Sequence, residues 1–131
     1  MRSALARSFL LIAVSAAAAA PAQVPAARAL QGFQPGQWQV KPLGNGGEGQ
    51  TQCLPDAELM LTGKRPAAQC AFTLITDSDD AAVVTYRCAG GRSGRTAIRR
   101  DAAGLYTVDA QGLESALPFA DRSEWRRTGS C

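Results

Sequence analysis

Histidine does not occur in this chain of 131 residues. Its absence excludes Ser-His-Asp and Cys-His catalysis, His-ligated zinc or haem, and the side chain most used for proton transfer near neutral pH. Aromatic residues are scarce, at 6% of the chain. That leaves few ring faces on which single-stranded nucleic acid could stack. The four cysteines, at 53, 70, 88 and 131, include no Cys-x-x-Cys, which excludes a thioredoxin-like redox motif. The length leaves room for one domain and none for a two-domain enzyme.

The one long apolar stretch is at the start. Met1 to Arg7 carries Arg2 and Arg7 and no acid; Ser8-Phe-Leu-Leu-Ile-Ala-Val-Ser15 and Ala16 to Ala20 follow. This is the order of a secretory signal: charged head, short apolar middle, small-residue exit. The apolar part is too short and too rich in alanine for a membrane span of about 20 residues. Ala20-Pro21-Ala22 fits the small-x-small rule for cleavage after Ala22, and cleavage after Ala19 fits nearly as well. We therefore expect a signal peptide over 1–22, a flexible lead-in over 23–32 and one domain over 33–131. Of the 14 basic side chains, Arg2 and Arg7 fall in the leader, leaving 12 against 11 acids and a mature net charge of +1. A near-neutral protein offers no global attraction to nucleic acid or to an anionic surface.

From residue 23 onward Val, Ile, Leu, Met, Phe, Tyr and Trp supply little more than a fifth of the residues, alongside all 13 glycines. Exported domains with so small a core are usually stapled by disulfides. An even number of cysteines behind an export signal reads as two bridges.

Alternation and turn residues predict short strands. Phe33-Gln-Pro-Gly-Gln-Trp38-Gln-Val40 opens the domain with Trp38 and Val40 inward, and Gly44-Asn-Gly-Gly-Glu-Gly49 suits a hairpin loop before Thr51-Gln-Cys53. Pro55-Asp-Ala-Glu-Leu-Met-Leu61 is the one helical stretch, with Gly63 to end it. In the middle, Cys70, Phe72 and Leu74 alternate on one arm and Val84, Tyr86 and Cys88 on the other, across the turn Asp77-Ser-Asp-Asp80. Burying both apolar faces pairs Leu74 with Val84, Phe72 with Tyr86 and Cys70 with Cys88; a one-residue slip would turn one face outward. Cys70–Cys88 with Cys53–Cys131 is then one connectivity, and Cys53–Cys70 with Cys88–Cys131 is the other. Arg95 to Arg100, the turn Asp101-Ala-Ala-Gly104 and Leu105 to Asp109 form a second hairpin, and Glu124 to Cys131 a last strand. The expected fold is mainly β: an antiparallel meander curling into a small sandwich or partial barrel, with one short helix and two disulfides.

Pro35-Gly-Gln-Trp38, Thr51-Gln-Cys53-Leu-Pro, Cys70, Tyr86-Arg-Cys88-Ala-Gly and a terminal Arg127-Thr-Gly-Ser-Cys131 stand in an order that resembles the exported bacterial family of domain of unknown function 3617. The resemblance covers residues 33–131. It implies a Gram-negative periplasmic protein and brings with it no activity, ligand or catalytic residue. The stretch from Val40 to Gln50 is shorter than that family leads one to expect. A looser likeness, through Tyr86-Arg-Cys88, is to periplasmic lysozyme inhibitors of the C-type class. Their Ser-Gly motif ending in Tyr is not matched, since Ser93-Gly94 continues as Arg95-Thr-Ala.

One constellation suggests binding. Arg87, Arg92, Arg95, Arg99 and Arg100 fall within fourteen residues with no acid among them. Arg87, Arg92, Arg95 and Arg99 are the candidate anion-binding residues, because guanidinium grips oxyanions bidentately; the bland alternative is a solvated strand face that blunts a sheet edge. Asp77-Ser-Asp-Asp80 lacks the Gly and distal Glu of a calcium loop. Gly90-Gly-Arg-Ser-Gly94 lacks the Lys-Ser/Thr of a phosphate loop. Asp56 with Glu58, and Glu114 with Asp121, are the acid pairs that glycoside chemistry would need. Lys41 and Lys64 have no serine motif beside them. Trp38, Phe72, Tyr86, Tyr106, Phe119 and Trp125 are expected to fill a core rather than line a cup.

The chain is thus expected to be a non-enzymatic, periplasmic, envelope-associated binding module, without catalytic residue, metal or cofactor. Its partner would be an envelope lipid, an anionic small molecule or a periplasmic protein, and not nucleic acid. The alternative is a protein inhibitor of an envelope hydrolase. The mass of the exported chain tests the first step: it should match residues 23–131, or 20–131, less four hydrogens. A retained leader or a full complement of hydrogens would refute it.

Overall fold

The computed structural model describes residues 25–44 and 46–131. The signal-peptide expectation over 1–22 and the Asn45 turn position lie outside them. Seven strands form one open antiparallel sheet: β1 (Gly36–Pro42), β2 (Gln50–Leu54), β3 (Cys70–Asp77), β4 (Ala81–Cys88), β5 (Arg92–Ala102), β6 (Leu105–Glu114) and β7 (Leu117–Gly129), in the order β2-β1-β7-β6-β5-β4-β3. A single helical turn, α1 (Glu58–Leu61), lies between β2 and β3. The mainly β, antiparallel, two-disulfide fold read from the sequence is the fold found, with all strands in one sheet and not in two facing ones.

Every connection except one joins neighbouring strands. The exception, Pro55 to Gln69, carries the chain from one edge of the sheet to the other, and α1 rides on it. Asp56 starts the turn, its carboxylate accepting the Glu58 N–H at 2.8 Å. Met60 and Leu61 are fully buried and share one apolar cluster with Leu54, Trp38, Trp125, Tyr106, Val108, Ile98 and Val84, with Phe72 and Leu74 packed against it. Residues from all seven strands therefore meet one plug, which requires the sheet to curl around it. Each such side chain contributes about 1.5–3 kcal/mol by leaving water. Polar contacts fix the plug in register: Thr96 Oγ1 donates to the Leu61 carbonyl at 2.8 Å. Gly63 approaches β6 so closely that a Cβ would lie 2.4 Å from that of Ala110, at a φ of +60° that favours glycine.

The β3–β4 register pairs Leu74 with Val84, Phe72 with Tyr86 and Cys70 with Cys88, as the alternation requires. A bulge follows at Ile75, which is left exposed. Residues 25–32, expected as a flexible lead-in, are packed instead. A 3-10 turn, Arg28–Leu30, presses Ala27 and Ala29 against Ala82, and side chains that small allow the close fit. The helix is shorter than the expected 55–61, and β7 begins seven residues before the expected Glu124.

The bridges are Cys53–Cys131 and Cys70–Cys88. The first follows from topology. Gln37 of β1 is flanked by Cys53 on β2 and by Gly129 on β7, so the end of the chain passes close to Cys53. The residues of the two bridges stand 78 and 18 apart in sequence, for which loop-closure entropy gives about 4–5 and about 3 kcal/mol. Replacing Cys53 and Cys131 by Ser should therefore lower the melting temperature several degrees further than replacing Cys70 and Cys88. Thermal unfolding of the two double variants checks this, and the reverse order would refute it.

Candidate anion-binding site

Strands β4 and β5 decide where the arginines go. Arg87 stands opposite Ser93, and Arg95 opposite Thr85, so Arg87 and Arg95 are diagonal neighbours on the face turned away from the core. Such neighbours lie within reach of each other's long side chains. Around them are small polar residues: Thr73, Thr85 and Ser93, with Gln111 across from Arg95 on β6. Together they line a trough of about 700 Å³.

Its floor is Gly94 paired with Gly112. The strands meet so closely here that a Cβ on Gly112 would lie 2.1 Å from the Ser93 carbonyl oxygen. Behind Gly94, on the core side, lies the Tyr86 ring, covering the position a side chain would take. The buried Tyr86 hydroxyl has no hydrogen-bond partner among the described residues. Burial, the largest influence, raises its pKa, opposed by the charge of Arg65.

The four candidate arginines divide. No carboxylate lies within ion-pair distance of Arg87 or Arg95 among the described residues. Arg92 is opposite Cys88, in the row of the buried Cys70, and so on the other face. Its guanidinium donates to the carbonyls of Pro66 (2.7 Å) and Ala68 (3.4 Å), holding the crossing segment. Arg99 shares the outer face but donates to Asp101 at 2.6 Å. A hydrogen bond from Thr107 (2.6 Å), and then the one from Arg99, hold the Asp101 carboxyl below its ordinary range. The structure thus brings Arg87 and Arg95 to one place and leaves Arg92 and Arg99 in others.

The remaining constellations are accounted for by structural contacts. Asp77 accepts the Arg28 N–H at 2.7 Å and Asp79 pairs with its guanidinium, which ties the turn to residues 25–32. Asp80 accepts from the Ser78 hydroxyl at 2.9 Å. Glu114 (3.6 Å) and Asp121 (2.6 Å) both pair with Arg65, which lies over the Phe119 ring at 3.4 Å. Arg65 thus ties both carboxylates to the crossing segment. Asp56 caps α1. Among the described residues no three His, Cys, Asp or Glu side chains gather as metal ligands. Trp38 and Trp125 are core, their indole N–H groups satisfied by the Gln34 carbonyl (3.1 Å) and the Ser123 hydroxyl (2.9 Å). Arg28 and Arg65 were missed in the sequence, because their partners lie about fifty residues away.

Two unopposed guanidiniums facing hydroxyl and amide groups can hold an oxyanion. No family model, curated protein or solved structure matches the chain.

The Asp101 cluster carries a pH dependence. A carboxylate held below its ordinary range stabilises the folded chain above that range, and the contribution is lost as pH falls through the lowered pKa. Asp101→Asn should cost up to about 1 kcal/mol at neutral pH, as a half-exposed pair does. The gap to the wild type should close on acidification. Denaturant unfolding at a series of pH values measures it, and a gap independent of pH would sink the assignment.

Proposed function

We propose that the protein is an exported, non-enzymatic binding module whose outer-face trough takes an oxyanion-bearing ligand between Arg87 and Arg95. One observation carries this: two neighbouring guanidiniums, without an ion-pair partner among the described residues, open onto one trough of about 700 Å³. Side by side they repel each other, and a shared oxyanion turns that repulsion into two charge-assisted hydrogen-bond sets. Thr73, Thr85 and Ser93 add donors that a phosphate or carboxylate accepts from. The two disulfides fit an oxidising compartment. No helix among the described residues is long and apolar enough to cross a membrane. A periplasmic home is supported further by the leader-like pattern of residues 1–22.

Titration calorimetry at low ionic strength with inorganic pyrophosphate tests the site. The wild type should bind, more weakly as salt is added, and Arg87→Ala/Arg95→Ala should reduce affinity at least tenfold without moving the melting temperature by more than a degree or two. Equal affinity in the double variant, or no binding by the wild type, would overturn the proposal.

A further inference from the structure

We infer that the oxyanion is the headgroup phosphate of an anionic lipid, and that the protein rests on a bilayer by the end of the sheet that carries the β6–β7 turn. This rests on the oxyanion site proposed above and names its ligand. Three large apolar side chains are exposed among the described residues: Ile75, Leu113 (43%) and Leu117 (70%). Two of them belong to the β6–β7 hairpin, and Leu113 also lines the trough, directly opposite Ser93, which is itself opposite Arg87. An apolar side chain and a guanidinium thus flank one hydroxyl in a single row across three strands. That is the arrangement an amphiphile with a charged head would need.

The tip has no free charge. Its turn is Ser115-Ala116, at φ of +49° and +65°, and Glu114 before it is paired with Arg65. A two-residue turn of this kind is short and stiff, so Leu117 is held at a fixed distance from Leu113. The β4–β5 turn, Ala89-Gly90-Gly91, lies at the same end of the sheet and is likewise uncharged. At the opposite end, the β3–β4 and β5–β6 turns hold Asp77, Asp79, Asp80 and Asp101, where Arg28 and Arg99 are engaged with acids. One end is therefore apolar at its β6–β7 and β4–β5 tips with unpaired cations just behind, whereas at the other end acids and arginines are paired. An anionic bilayer attracts the unpaired cations of the first end and finds none free of acid partners among Arg28 and Arg99 at the second, which sets the orientation. Exposed leucines then enter the interface, where each buried side chain adds affinity.

Cosedimentation of the disulfide-bonded protein with vesicles of phosphatidylcholine, with and without phosphatidylglycerol, tests this beside pyrophosphate calorimetry. Binding should require phosphatidylglycerol. Arg87→Ala/Arg95→Ala should abolish it, and Leu117→Ser should weaken it about tenfold or more while leaving pyrophosphate affinity unchanged. If pyrophosphate binds and vesicles do not, the ligand is a free phosphate compound; this inference fails and the oxyanion site stands. Vesicle binding indifferent to Leu117 or to the two arginines also overturns it. If neither pyrophosphate nor vesicles bind, both proposals fall.

Discussion

A seven-stranded sheet with one apolar face needs that face covered, and in this chain the cover is a crossing of some fifteen residues with residues 27–33 packed beside it. Met60 and Leu61 sit where side chains from every strand converge. The curl of the sheet follows from wrapping so much sheet around so little plug. The contacts that seat the plug are correspondingly specific. Gly63 against Ala110, Thr96 on the Leu61 carbonyl, Arg65 on Asp121 and Arg92 on the Pro66 carbonyl each fix a different part of the crossing. Polar groups that could have served a ligand serve the plug instead.

This division of labour explains which arginines are available. Arg65, on the crossing, pairs with Glu114 and Asp121 of β6 and β7, and Arg92 donates to the crossing's carbonyls, while Arg87 and Arg95, out of phase with Arg92 along the strands, face outward. The trough owes its depth to small residues and to the glycine pair at 94 and 112, positions where packing on the core side is supplied by Tyr86. Cover on one face and space on the other are two aspects of the same cross-strand row.

Local pattern was legible in the sequence wherever one register buried both arms. The Cys70–Leu74 and Val84–Cys88 arms are such a case, and the pairing follows from alternation alone. Period-two counting also places Arg87, Arg95 and Arg99 on one face and, along β5, sets Arg92 on the other. What the sequence hid was non-local. Cys53–Cys131 depends on β7 returning beside β1, and the Asp77–Asp80 turn depends on Arg28 some fifty residues earlier. The start of β7 was hidden for a different reason. Ser115-Ala116 takes the left-handed conformation without the Gly or Asn that usually marks such a turn, so the tip carrying Leu113 and Leu117 gave no signal.

The place of β1 also constrains the order of assembly. It is an early strand inserted between β2 and β7, the last strand to be made, and Cys53 finds its partner 78 residues later. A chain that becomes available amino end first can close the β3–β4 hairpin and its bridge before β7 is present, but Cys53 finds its native partner only when the segment after β7 is free. During that interval Cys70 is the nearest thiol to Cys53 along the chain. Were the β3–β4 hairpin to close first, it would consume Cys70 and so shield the long-range bridge from a local mistake, the meander serving as a timing device as well as a scaffold.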